Sequence, residues 1–363
     1  MESVQPIVFD PEPQRVLIVL PTWVGDVVMS TSFLDALFKR FQSADISLLM
    51  YKHLNEILEE GPWTKRCHYW PGGNASRADI RKWLNTLRAE RFDLAVLLPN
   101  SFRVAWTAWR IGATRRVGFA RDGRSLLLTD ALIVPNRRGR KFEPMPLVKY
   151  YAHLAAHLGC ESPGDNLRLF TSHQHDSTSE QKLRQAGVSA SARIVTICPG
   201  ANFGASKCWH PERFAQVADR LVRDHGVSVV ISPGPGEEPL AIQIAETMKE
   251  SHVLLSRPCL SLGELKSLIQ RSVLLLGNDT GPRHYARAFD TPRVTVFGPT
   301  EQIWTETTHA KETIIQVTVP CGPCQEKICP RKERICMDRI SVGMVYQACS
   351  ALLPGNEGSS LTE

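Results

Sequence analysis

The chain has no apolar stretch near its start long enough to cross a membrane or to act as a secretion signal. The run 16–20 spans five residues, and residues 1–14 carry three prolines and no basic segment. A cytoplasmic setting is therefore expected, and in such a setting ten cysteines read as free thiols or a metal site before they read as disulfides. Three signatures of common enzymes are also missing. No GxGxxG follows an expected strand and no GxxxxGK[ST] occurs, so nicotinamide-dinucleotide and P-loop chemistry lose their main support. No GxSxG elbow marks a serine hydrolase.

What is present is ordinary in amount and uneven in place. A chain of 363 residues exceeds what one hydrophobic core serves, so two domains are expected. The net charge of +6 is concentrated: residues 101–150 hold eleven Lys or Arg, among them Arg137, Arg138 and Arg140, against three carboxylates. Such an excess suits a polyanionic partner, whether nucleic acid, an anionic membrane surface or a phosphorylated glycolipid, and it suits a plain solvated face equally well.

Short Val, Ile and Leu runs alternate with segments of helical period, the pattern of parallel strands joined by crossover helices. Strands are expected at 15–20, 46–50, 94–98 and 116–119, with a helix over 26–41. A second series follows: strands at 194–198, 227–231, 273–276 and 294–297, and helices starting near Pro211, Pro239 and Pro282. Ser261 and Glu264 have capping-box spacing. The polar stretch 173–192 separates the two series. The expected fold is α/β, two doubly wound Rossmann-like domains facing a central crevice at the carboxyl ends of their strands. The expected order is a flexible extension 1–14, a domain 15–180, and a domain 181–337 that ends in a Cys-rich segment 321–337. A C-terminal helix 338–353 packing back on the first domain and a tail 354–363 complete it.

Three strand-to-helix loops can carry chemistry. Pro21-Thr22-Trp23-Val24-Gly25-Asp26 puts a carboxylate at a helix start. There it is either an N-cap or a base kept ionised by the helix dipole and able to take a proton from an attacking alcohol. The loop 198–211 holds Lys207 among small residues before a helix, where it can neutralise a diphosphate or serve as a surface cation. Gly277-Asn278-Asp279-Thr280-Gly281-Pro282-Arg283-His284 sets amides, a hydroxyl and an imidazole around a helix N-terminus. That is either a phosphate site or a helix capped by Asp279 or Thr280.

Taken together, PTWVGDVVMSTSFLDAL, LLPNSFRVAW, CPGANFGASKCW, GNDTGPRHYA and VFGPT, in this order, resemble glycosyltransferase family 9, the heptosyltransferases. The resemblance implies a GT-B fold and inverting transfer of heptose from ADP-heptose to a lipid-linked core oligosaccharide of lipopolysaccharide. It implies no cofactor and no catalytic metal. By position, Asp26 matches the family's catalytic base and Lys207 the lysine beside the donor diphosphate. Asp279, Thr280, Gly281 and His284 match its donor-binding motif, and Glu238, or Glu237 across a one-residue gap, matches its ribose-binding glutamate. Asn202 and Phe203 line the donor loop, while Asn100, Ser101 and Arg103 fall on the acceptor side. On this reading the basic stretch meets the acceptor's charges and an anionic inner membrane, with the protein peripheral on it.

Cys321, Cys324, Cys329 and Cys336 depart from the best-known members. A CxxC with two further thiols suits structural zinc, although the outer spacings are irregular for a zinc ribbon, so reduced thiols or a disulfide stay open. The departure leaves open a related family 9 transferase that uses another sugar nucleotide or acceptor, and two rivals from other classes are a non-catalytic nucleotide-binding protein of the same fold and a nucleic-acid binder. The second would need aromatic stacking platforms that the sequence does not announce, so no nucleic-acid partner is expected.

Overall fold

In a computed structural model the described residues are 5–135, 137–139, 141–306, 311–331 and 333–353, with the Arg138 side chain left out. They group into two units, which divide between Phe170 and Thr171, with a short stretch from Ile303 grouping with the first. The first unit begins with β1 (Arg15–Val19), α1 (Val24–Met29), α2 (Thr31–Arg40), β2 (Asp45–Met50), α3 (Asn55–Leu58) and β3 (Cys67–Tyr69). It continues through α4 (Arg77–Ala89), β4 (Leu94–Leu97), α5 (Phe102–Arg110), β5 (Arg115–Phe119) and β6 (Asp130–Leu132). The ribbon β7 (Arg137–Arg138) and β8 (Lys141–Phe142) and then α6 (Leu147–His157) close it. Six strands form one parallel sheet in the order β3-β2-β1-β4-β5-β6. The central strands β1 and β4 bury nearly every side chain, as apolar runs covered on both faces must.

The second unit opens with α7 (His173–Gln185), β9 (Ile194–Cys198), α8 (Pro211–His225), β10 (Ser228–Ile231), α9 (Glu238–Thr247) and β11 (His252–Leu254). After these come α10 (Leu262–Arg271), β12 (Leu274–Asn278), α11 (Gly281–Ala288), β13 (Arg293–Phe297), β14 (Glu312–Gln316), α12 (Ile335–Asp338) and α13 (Val342–Leu352). Its sheet repeats the pattern, β11-β10-β9-β12-β13-β14, again all parallel. In each sheet the strand order reverses between the first and fourth strands, β1/β4 and β9/β12. This is where open α/β sheets part their loops and leave room for a ligand. The capping box at Ser261 forms: its hydroxyl accepts from the Glu264 amide, and Glu264 accepts in return from the Ser261 amide.

Several expectations are corrected. The helix over 26–41 is two helices, parted at Ser30, where the Ser30 and Thr31 hydroxyls bond back to the carbonyls of Val27 and Val28. The N-terminal segment is not loose through residue 14. Ile7 donates its amide to the His157 carbonyl, and buried Phe9 meets the Phe41 ring edge-on beneath the Arg115 guanidinium. The polar stretch 173–192 is mostly α7, which packs on α10 through Lys182–Glu264 and Glu180–Arg271 pairs and buried Leu183, so it belongs wholly to the second unit. The expected packing of the C-terminal helix on the first domain is replaced: α13 groups with the second unit. It lies on α8 and the second sheet, and Val345, Cys349 and Leu353 share a core with Trp209, Val217 and Val294. The tail 354–363 and Arg140 lie outside the described residues.

Candidate functional site

In the second unit the chemistry gathers where β9 and β12 end. Asn278, the last residue of β12, is buried and binds both ways: its amide nitrogen donates to the Pro199 carbonyl at 2.5 Å, and its oxygen accepts from the Trp209 amide at 3.1 Å. This ties the loop after β9 to the end of β12 and delivers Lys207 to Asp279. The Lys207 ammonium donates to the Asp279 carboxylate at 2.5 Å and to its carbonyl at 3.2 Å, with side-chain exposures of 12% and 7%. Thr300 donates to the same carboxylate at 3.0 Å, and Arg283 stands 3.5 Å away. Burial pushes the Asp279 carboxyl up, but the Lys207 and Arg283 cations outweigh it and hold the group below the usual carboxylate range.

Arg283 is itself anchored. It pairs with Glu312, which also accepts from Arg293 at 2.8 Å and from the Thr295 hydroxyl at 3.0 Å. Burial again opposes ionisation, yet the two guanidinium groups hold the Glu312 carboxyl down at about 2. His284 is buried, and desolvation followed by the Arg283 charge lowers it to about 3, so near neutral pH it offers an N–H but no charge. Thr280 holds the N-cap position of α11, but its side chain makes no cap bond to the helix amides. The positive end of α11 and the Lys207 ammonium thus lie on one loop cluster, a combination suited to a diphosphate.

The neighbouring loops crowd in. Phe203 lies under Lys207, with 4.9 Å from the ammonium to the ring centroid, and Asn202 beside it is exposed. Glu238 begins α9 with its carboxylate accepting from the Cys259 thiol at 3.5 Å. Glu237 instead turns toward the β9 loop: it accepts from the Gly234 amide at 2.8 Å and fills the space where a Cβ on Gly200 would sit. Burial pushes its carboxyl up.

In the first unit Asp26 is the third residue of α1, and Trp23 is the N-cap, so Asp26 is not the capping residue. Burial, and then the charge of Asp26, raise the phenol of Tyr151 on α6, which marks that hydroxyl as a neighbour of the carboxylate. Asn100 accepts from the Tyr150 hydroxyl at 3.0 Å and from Arg124 at 3.2 Å. Ser101 caps α5, accepting from the Val104 amide, and Arg103 lies over the Trp70 ring within 3.4 Å of the Tyr51 hydroxyl.

Residues 80–335 match the model of glycosyltransferase family 9 (heptosyltransferase), well over half of the chain. The chain belongs to that family. It is 27% identical to lipooligosaccharide heptosyltransferase 2 of Haemophilus influenzae over 84% of its own length and 88% of the relative's. It is equally 27% identical to lipopolysaccharide heptosyltransferase 2 of Escherichia coli, with the same coverage of each. The solved structure of E. coli ADP-heptose lps heptosyltransferase II has the same fold, with a TM-score of 0.76 at 24% identity over 93% of this chain and 98% of that one. A family 9 glycosyl transferase from Veillonella parvula gives 0.78 at 22%, covering 93% and 97%. The α/β, GT-B fold class and the glycosyltransferase class of this family 9 member follow.

Sequence reasoning overlooked Thr300, Arg283, Arg293 and Glu312 as supports of the site. They come from two strands, a loop and a helix start, and no local spacing announces them. The Cys-rich segment of this family 9 chain lies over the Lys207 loop. Ser206 donates its amide to the Lys327 carbonyl and its hydroxyl to that of Glu326, and Arg334 donates to the Ala205 and Cys208 carbonyls. Gly204 makes this approach possible: it sits at φ 156°, and a Cβ there would come within 2.3 Å of the Lys327 oxygen. Cys321, Cys324, Cys329 and Cys336 all line one small cavity as free thiols. Among the described residues, no group of three or more His, Cys, Asp or Glu is arranged to hold a metal ion.

Proposed function

We propose that the protein transfers heptose from ADP-heptose, with inversion, to the lipid-linked inner core of lipopolysaccharide. The observation that carries this is the buried Lys207–Asp279 pair at the start of α11, read with the names of the family 9 relatives. In this reading Lys207 and the amides at Thr280 and Gly281 bind the diphosphate, Asn202 and Phe203 line the donor loop, and His284 donates a hydrogen bond without adding charge. The ribose falls to one of the two adjacent carboxylates, and the Glu237 position among the strand-end loops supports Glu237 over Glu238.

The reaction is one displacement. The acceptor hydroxyl oxygen forms the new bond to the anomeric carbon as the bond to the diphosphate breaks, and its proton passes to the Asp26 carboxylate. Negative charge builds on the departing ADP, so a fixed cation and oriented amides there lower the barrier more than they tighten the ground state. Asn100, Ser101 and Arg103 serve the acceptor. Among the described residues no helix is long and apolar enough to cross a membrane, and the reading includes peripheral contact at the cytoplasmic face of an anionic inner membrane.

Mass spectrometry of products from a panel of sugar nucleotides with truncated core acceptors tests it. A mass increase of one heptose, only with ADP-heptose and a core acceptor, is the expected result. Transfer from a different sugar nucleotide, or binding without transfer from any, would overturn it.

A further inference from the structure

Helix α5 is turned inside out in its aromatic content. Its buried face is made of small residues, Val104, Ala105, Thr107 and Ala108, while Phe102, Trp106 and Trp109 are 53%, 37% and 49% exposed. At 100° per residue these three side chains fall within about 60° of one another, on the side opposite the buried face. Leu126, 97% exposed, extends the patch from the 3-10 turn Ser125–Leu127, whose Leu127 packs into the same core as Val104. A contiguous aromatic surface of this kind marks an interaction site, because large apolar side chains otherwise go inside.

We propose that this outward face of α5, with Leu126, docks on the surface of an anionic bilayer. Charge complementarity selects the occupant. Arg103 and Arg110 border one side of the aromatic stripe, α5 contains no carboxylate, and among the described residues neither arginine has a carboxylate partner. The acidic side chains next along the sequence on either side are engaged: Asp93 accepts from the Gln14 and Arg15 amides, Glu90 pairs with Arg66 at 2.8 Å, and Asp122 with Arg121 at 3.5 Å. Tryptophan favours the boundary between headgroups and acyl chains, where its ring is sheltered and its N–H stays wet. Trp63, Trp83 and Trp209 donate their indole N–H inside the protein, whereas among the described residues no such bond comes from Trp106 or Trp109. Nine residues are far too few to span a bilayer, so the helix lies along it. This deepens the membrane contact in the proposed function and rests on that part of it alone.

The test compares the full chain with Trp106→Ser/Trp109→Ser and with Arg110→Ser, using vesicles of phosphatidylglycerol with phosphatidylcholine and of phosphatidylcholine alone. Sedimentation should show at least a tenfold loss of partitioning into the anionic vesicles for the double variant and a smaller, salt-dependent loss for Arg110→Ser. Brominated lipid should quench the wild-type tryptophan emission more than that of the double variant. Thermal midpoint and transfer to a soluble, delipidated acceptor should be unchanged. Equal partitioning of wild type and double variant, absence of lipid quenching, or a wild-type dimer by light scattering that the double variant dissolves would each overturn the docking proposal. If no sugar nucleotide supports transfer but lipid quenching persists, the proposed reaction falls and the docking surface stands.

Discussion

Lys207 and Asp26 carry the proposed chemistry, and their surroundings set what each substitution should do. Removing the Lys207 ammonium takes one charge-assisted bond from the diphosphate, so Lys207→Ala should weaken ADP binding or transfer by about 1.5–3 kcal/mol. It also strips Asp279 of its 2.5 Å partner, leaving Arg283 and Thr300 to stabilise that carboxylate. The thermal midpoint should therefore fall as well, and calorimetric titration with ADP well below that midpoint separates the two effects. Unchanged affinity and turnover would remove Lys207 from the site. Asp26 offers a cleaner contrast, because Trp23 holds the N-cap position and asparagine keeps the size of the Asp26 side chain while losing its charge. Asp26→Asn should leave folding and ADP affinity nearly intact while turnover drops by roughly 10² to 10⁴, the usual worth of a general base. Near-normal turnover on the same preparation would leave the mechanism without its base.

At the scale of elements, Glu312 on β14 joins Arg283 of α11 to Arg293 of β13. Replacing one member of a buried ion cluster leaves the others uncompensated, so Glu312→Gln should cost about 3–5 kcal/mol of stability in the second unit. The pH dependence has a definite sign. The Glu312 carboxyl is held at about 2 in the folded protein against an ordinary 4.5, so its stabilising contribution is complete above pH 4.5 and is lost as the pH falls toward 2. Urea unfolding of both proteins at several pH values should show the wild-type advantage shrinking through that window; a pH-independent difference would mean that the ion cluster is not its source. Helix α13 makes a second test. Val345 is on its buried side, and Val345→Ala should destabilise the second unit by a few kcal/mol at most, through lost burial and the cavity left behind. A midpoint shift in the first unit instead would contradict the packing of α13 on α8.

For the whole molecule, two units with separate cores need not unfold together. The donor contacts proposed here all come from second-unit loops, and a ligand stabilises what it binds by about 2.7 kcal/mol at a hundredfold excess over Kd. Calorimetry with ADP should therefore raise the transition that Glu312→Gln lowers. An ADP effect confined to the other transition would place the nucleotide on the wrong unit.

Much of the fold was legible because parallel strands covered on both faces leave long traces of apolar residues. Strand β9 was expected at 194–198 and runs over Ile194–Cys198, and the capping box at Ser261 forms as its spacing implies. The edge strands β3, β6, β11 and β14 escaped notice: β3, β6 and β11 have three residues each, and β14, though five long, is only half-buried along its length. The loops that end in Asp26, Lys207 and Asp279 were visible as glycine-bearing turns before helices, a local property that the chain alone determines. Which partner each side chain takes was not. That Lys207 meets Asp279, that Glu237 rather than Glu238 turns toward the β9 loop, that α13 covers α8 and that α5 shows its tryptophans to solvent were decided only in the tertiary structure. Those outcomes depend on residues brought together from distant strands and on which face of a helix the core leaves uncovered, and one-dimensional spacing encodes neither.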